Sequence, residues 1–159
     1  ILYIIGGADK NDLHLKQMWK YSTGQWRRCA DMFSRRANIG GSTVVFNGNI
    51  YVFGGNEMYA RRLAKCEMYD VKLDRWIPLS DMPNSRADAA ACVVDNKIYI
   101  SGGFSGRQLL ASIDVFCPQT NSWLQGGNLP KTLTGHVMTF ANDSLEVYGG
   151  FNGKERTNE

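Results

Sequence analysis

A pair of glycines closes an apolar run four times along this chain, at Gly6-Gly7, Gly54-Gly55, Gly102-Gly103 and Gly149-Gly150, at intervals of 48, 48 and 47 residues. Tryptophans keep the same phase, at Trp26, Trp76 and Trp123, and six residues after each stands Met32, Met82 or Leu129. Three markers in one phase define an internal repeat. A period of this length means a stacked array of supersecondary units, none of which buries its own apolar surface alone.

Each unit reads as four short strands. Ala90 to Val94 is small and apolar, as suits a crowded inner strand, and Asp95-Asn96 forms a tight turn, as Asn47-Gly48 does one unit earlier. Both turns hold residues that tolerate positive φ. The second strand, "KIYIS", runs into the glycine pair; a polar loop follows, then a third strand at Ser112 to Phe116 and a fourth at Ser122 to Leu124. The preceding unit offers "STVVF", "NIYVF", "KCEMYD" and "RWIPL" in the same order. Asp12 to Tyr21 has some helical character, but its register with the other units predicts loop and then strand. Four antiparallel strands cannot cover both faces by themselves, and radial stacking of such sheets covers them, so the expected fold is an all-β propeller. The glycine pair is expected where backbones approach closely, and the Trp between adjacent sheets.

Composition narrows the function classes. Eighteen basic against 15 acidic residues leave a net charge of +3, too small a bias to predict nucleic-acid binding. No apolar run is long enough to span a membrane, so neither a nucleic acid nor a membrane is expected as partner. Cys29, Cys66, Cys92 and Cys117 form no close pair, and a reducing compartment, the cytoplasm, is the expectation; the even count also permits two disulfides. His14 and His136 are the only histidines and lie in different units. No metal-ligand spacing, nucleophile signature or phosphate loop accompanies them, so no cofactor, no metal, no catalytic residue and no enzymatic activity are expected. Asn142-Asp143-Ser144 fits a glycosylation sequon and equally a hairpin turn.

The units resemble kelch repeats. The matching residues are the glycine pair, an aromatic residue with an acidic neighbour, seen at Tyr69-Asp70, and the following Trp. Ser22 and Cys117 stand where the acidic residue is missing, and Leu133 stands near the place of an Arg that follows the Met elsewhere, as Arg35 or Arg36 and as Arg86. The unit length and the Met-to-Arg segments are most similar to the propellers of BTB-kelch ubiquitin-ligase adaptors. That resemblance implies four-stranded kelch blades, here about three blades' worth of a six-bladed ring over residues 1–159. It implies a protein-binding module that selects substrates, with cullin-3 engaged only through BTB and BACK domains outside these repeats. The alternatives are an actin-binding or scaffold kelch protein and, less favoured, an enzyme built on a kelch propeller. The chain is read as part of a longer kelch domain, with self-association of two copies into one ring as the competing reading.

The loops between second and third strands, Ala8 to Lys16, Asn56 to Ala64 and Phe104 to Ala111, are the expected binding elements for a protein or peptide ligand. Tyr59 with Arg61 and Arg62 pairs an aromatic anchor with charged forks and suits an acidic or phosphorylated peptide; Arg107 sits in the equivalent loop of the next unit. The resemblance adds Arg36, Arg86, Asp88 and His136 in or beside the inter-blade links, although the donors of Arg86 could as well tie loop carbonyls together. Asp70 recurs by phase, and turn hydrogen bonding explains it.

Overall fold

The computed structural model describes residues 1–58 and 61–157. Strands β1 (Leu2–Ile5), β2 (Met18–Ser22) and β3 (Gln25–Arg28) form a three-stranded antiparallel sheet. In the second unit β4 (Thr43–Phe46) and β5 (Asn49–Phe53) are followed by a miniature hairpin of β6 (Asn56–Glu57) and β7 (Arg61–Arg62), then β8 (Cys66–Asp70) and β9 (Arg75–Leu79). The sheet order is β4-β5-β8-β9. The third unit repeats it with β10 (Ala90–Val94), β11 (Lys97–Ser101), β12 (Ser112–Cys117) and β13 (Ser122–Asn128). The hairpin of β14 (Val137–Ala141) and β15 (Ser144–Tyr148) ends the series. These are successive propeller blades, two with all four strands. Asp12 to Tyr21 is loop and strand, as its register predicts. The fourth strand of the third unit runs to Asn128 rather than stopping at Leu124, because β13 continues to pair with β12 past an irregularity at Ser112/Asp114.

Turn chemistry sets the hairpins. Asn47-Gly48, Asp95-Asn96 and Asn142-Asp143 all have positive φ at both residues, the geometry that matches strand twist in two-residue hairpins. At the opposite turn, Asp70 Oδ1 accepts the N–H groups of Lys72 and Leu73.

The core lies between sheets. Along β5 the side chains alternate: Ile50 and Val52 join Met18, Met32, Tyr69 and Trp76 against the first sheet, while Tyr51 and Phe53 join Ile98, Ile100 and Phe116 against the third. Both faces of β5 are therefore covered, and each fully buried side chain contributes about 1.5–3 kcal/mol of apolar transfer. Trp76 and Trp123 fill the gaps as expected, their indole N–H groups donating to Ala30 O at 2.9 Å and Ser80 O at 3.0 Å in the preceding links. Trp26 departs from the expectation. It is 45% exposed against Tyr21, because no described sheet covers the outer face of β1–β3.

The glycine pairs have a specific cause. A Cβ on Gly54 would stand 2.2 Å from Arg86 O and one on Gly102 2.4 Å from Leu133 O, both carbonyls of the link to the next sheet. The crowding comes from that link rather than from the axis. Gly149, which no described link follows, meets nothing nearer than 3.6 Å.

Candidate protein-binding face

At one end of the sheets each second strand leaves through its glycine pair into a short braced loop, and each inter-sheet link crosses beside it. The pattern repeats atom for atom. Gly7, Gly55 and Gly103 N–H groups donate to Arg36, Arg86 and Leu133 carbonyls, and Leu15, Leu63 and Leu110 return bonds to the same glycines. Further along the link, Ala37, Ala87 and Thr134 pair with Asn56, Phe104 and Phe151 at the loop bases of the following sheet. Three loops also carry an internal brace: Asp9 Oδ1 accepts from Asn11 and Leu13, Ser105 Oγ from Arg107 and Gln108, and Asn152 Oδ1 from Lys154 and Glu155. Side-chain acceptors of this kind hold loops in a defined turn. This end of the molecule is thus a rigid frame with variable side chains mounted on it.

The arginines of the links do not face outward. Arg36 and Arg86 are completely buried, which corrects their assignment as ligand contacts. Arg36 donates to the carbonyls of Gly54 and Lys65 and forms an ion pair with Glu67 at 2.5 Å. Arg86 donates to the carbonyls of Gly102 and Ser112, to Ser112 Oγ and to the Asp114 carboxylate. Each guanidinium fastens a link to the middle of the next sheet. Burial raises the Asp114 pKa and lowers that of Arg86, with the mutual attraction opposing both shifts. Glu67 also accepts from the N–H groups of Phe33 at 2.7 Å and Ser34 at 3.0 Å, so it organises the link that carries its own partner.

His136 is buried as well, which corrects its placement on the surface. It packs beside Gly102, with Nε2 2.8 Å from Ser101 Oγ and Nδ1 unpartnered among the described residues. Burial lowers its pKa from 6.5 to about 4, so the ring is neutral near pH 7.

Of the remaining candidates, Arg61 and Arg107 are exposed and Arg62 and Asp88 half-buried. Tyr59 lies outside the described residues. Arg61 projects from β7, 3.4 Å from the Glu57 carboxylate. Arg62 lies over the Phe104 ring with its guanidinium carbon 5.0 Å from the centroid, a cation–π contact joining the loops of two sheets. Arg107 is exposed on the Ser105-braced turn. Asp88 has φ 53°, and both its carboxylate oxygens accept from the Asn38 amide, at 3.0 and 3.2 Å. It lines a cavity of about 500 Å³ with Thr134, Phe151 and Arg156. A second cavity, about 580 Å³, lies outward between Pro83–Ser85 of the link and Ser105, Arg107, Gln108 and Leu110 of the loop. The structure therefore brings Arg61, Arg62 and Arg107 onto one face with Asp88, and withdraws Arg36, Arg86 and His136 into its frame. Sequence reasoning passed over Glu67 and Asn38. Glu67 left a signal in its phase, since Val52↔Glu67 and Ile100↔Asp114 are equivalent strand pairings. No group of three or more metal-ligating side chains occurs among the described residues, and all four cysteines are free thiols. Burial pushes Cys66 up to about 12 and Cys92 to about 11, which keeps both protonated. No helix among the described residues is long and apolar enough to cross a membrane.

A β-propeller of kelch type is defined by these sheets, links and glycine pairs. The profile of the KLHDC2/KLHL20/DRC7 Kelch-repeats domain matches residues 1–159, and the chain belongs to the kelch-repeat family. It is 39% identical to Spermatocyte protein spe-26 of Caenorhabditis elegans over 100% of this chain and 29% of that protein. It is 33% identical to Kelch repeat and BTB domain-containing protein F47D12.7 of the same organism, over 77% of this chain and 22% of that protein. The chain thus spans less than a third of either relative. The solved structure of YjhT superposes with a TM-score of 0.73 at 18% identity, covering 94% of this chain and 59% of that one, which shows the shared fold. The chain is a kelch-repeat protein-interaction module related to BTB-kelch and kelch-like proteins.

Proposed function

We propose that this module captures substrate proteins for a cullin-3 ubiquitin ligase, as the binding part of an adaptor whose ligase contacts lie outside these repeats. The observation that carries the reading is the frame itself: buried Arg–carboxylate pairs and braced loops hold the exposed Arg61 and Arg107 and the half-buried Arg62 and Asp88 at one end of the sheets. Binding side chains on rigid loops lose less entropy when a partner docks. Similarity to a protein named for both kelch repeats and a BTB domain supports the adaptor reading. The proposal takes the sheets as part of a six-bladed ring and involves no catalytic step in these repeats. It carries a cytoplasmic location with it, a compartment in which four free thiols persist. Immunoprecipitation of the full-length protein tests it. Cullin-3 in the precipitate is the expected result. Its absence, together with co-sedimentation on actin filaments, would overturn the adaptor reading in favour of a cytoskeletal one.

A further inference from the structure

We infer that the groove between the Pro83–Ser85 link and the Ser105–Leu110 loop is a subsite for an acidic side chain of a partner protein, with Arg107 as its principal contact. The inference rests on the protein-binding reading above and specifies the chemistry of one place on that face.

The groove lining decides the sign of the ligand. Its seven residues are Pro83, Asn84, Ser85, Ser105, Arg107, Gln108 and Leu110, around a volume of about 580 Å³. Arg107 is the sole formal charge in that set, and no carboxylate is among them. Asn84 and Gln108 add neutral side chains able to donate hydrogen bonds. The Arg107 guanidinium makes no hydrogen bond or ion pair with other described residues, whereas those of Arg36 and Arg86 each hold a carboxylate. An unengaged guanidinium with five donors in a planar fork matches a carboxylate or phosphate oxygen pair.

The loop backbone that carries Arg107 is also braced. Ser105 Oγ accepts the Arg107 and Gln108 N–H groups and lies 3.0 Å from Gln108 O, and Ser105 N donates to Gln108 O at 3.0 Å. Ser85 Oγ donates to Ser105 O at 3.3 Å and ties the loop to the link across the groove. Gly106 has φ +95°, and a Cβ there would meet Arg62 Cγ at 3.4 Å, so the turn sits directly against the β7 arginine. The cavity beside Asp88 offers no such preference, since Asp88 and Arg156 both line it and their charges oppose. The acidic group of the partner therefore belongs in the outer groove.

The test is a random dodecapeptide phage library panned on full-length wild-type protein and on its Arg107→Glu variant. Peptides selected by the wild type should be enriched in Asp and Glu, and those peptides should fail to bind Arg107→Glu. For one selected peptide, Arg107→Ala should weaken binding about tenfold and Arg107→Lys about threefold, while the exposed Arg75→Ala on β9 should leave it unchanged. A phosphoserine replacing the acidic residue should retain binding. Selected peptides without acidic enrichment, equal capture by wild type and Arg107→Glu, or no selected peptide at all would each overturn the groove assignment. Cullin-3 co-precipitation is read separately on the same variants, so loss of the groove and loss of the adaptor reading are distinguishable.

Discussion

The seams between successive sheets differ in chemistry. At the first two, a buried arginine leaves the link and reaches a carboxylate on the third strand of the next sheet, Arg36 to Glu67 and Arg86 to Asp114. At the third, Leu133 takes the arginine's place, and the nearby polar contact is His136 to Ser101, directed back to the preceding sheet. The Arg–carboxylate latch thus recurs at two seams and is replaced at the third.

Removing the latch should have the largest effect. Arg86→Ala strands the Asp114 carboxylate and the Gly102 carbonyl in the interior and should cost about 3–5 kcal/mol in urea denaturation, whereas truncating the exposed Arg107 should leave stability within about 0.5 kcal/mol. Similar midpoints for the two variants would break the comparison.

The glycine pairs sharpen it next. Gly54→Ala places a methyl 2.2 Å from Arg86 O at φ +63°, and Gly149→Ala, at φ +64°, meets only an atom at 3.6 Å. The first should cost more than about 3 kcal/mol and the second about 1 kcal/mol, the left-handed backbone penalty alone. Equal losses would mean that backbone conformation, and not the adjoining link, selects these glycines.

Acid should act on the third seam. The folded pKa of His136, about 4, lies below its ordinary 6.5. Above pH 6.5 the ring is neutral in both states and contributes no penalty. Between pH 6.5 and about 4 the unfolded chain binds a proton that the folded chain excludes, so stability falls as pH falls, by on the order of 1–3 kcal/mol. The difference in stability between pH 7 and pH 5 should shrink in His136→Gln, measured against wild type by thermal unfolding.

A contrast as large as the first separates the tryptophans. Trp76→Ala should cost about 3–5 kcal/mol, and Trp26→Ala, at a residue 45% exposed, under about 1 kcal/mol. Comparable losses would mean that a partner covers the outer face of β1–β3 in solution.

Much of the fold was legible because its determinants are local. Asn47-Gly48 and Asp95-Asn96 specify tight turns from their own backbone preferences, and the phase of glycine pair, Trp and Met sets the strand order before any contact is known. The binding face was less legible. Arg61, Arg62 and Arg107 were found through loop position, but Arg36 and His136 read like surface residues because polarity in a sequence does not state burial, while Arg86 also read as a tie between loop carbonyls, which it is. Whether a guanidinium faces solvent or a carboxylate depends on a residue some thirty positions away.

The sequence by itself determined the repeat, the four-strand unit and the loops that carry exposed charge, since these follow from periodicity and turn chemistry. The tertiary structure alone decided which face each strand buries. "LYII" in β1 and "IYVF" in β5 carry the same kind of pattern, yet Leu2 and Ile4 are 57% and 51% exposed while Val52 and Phe53 are fully buried. Burial belongs to a pair of neighbouring sheets, and one strand's residues do not contain it.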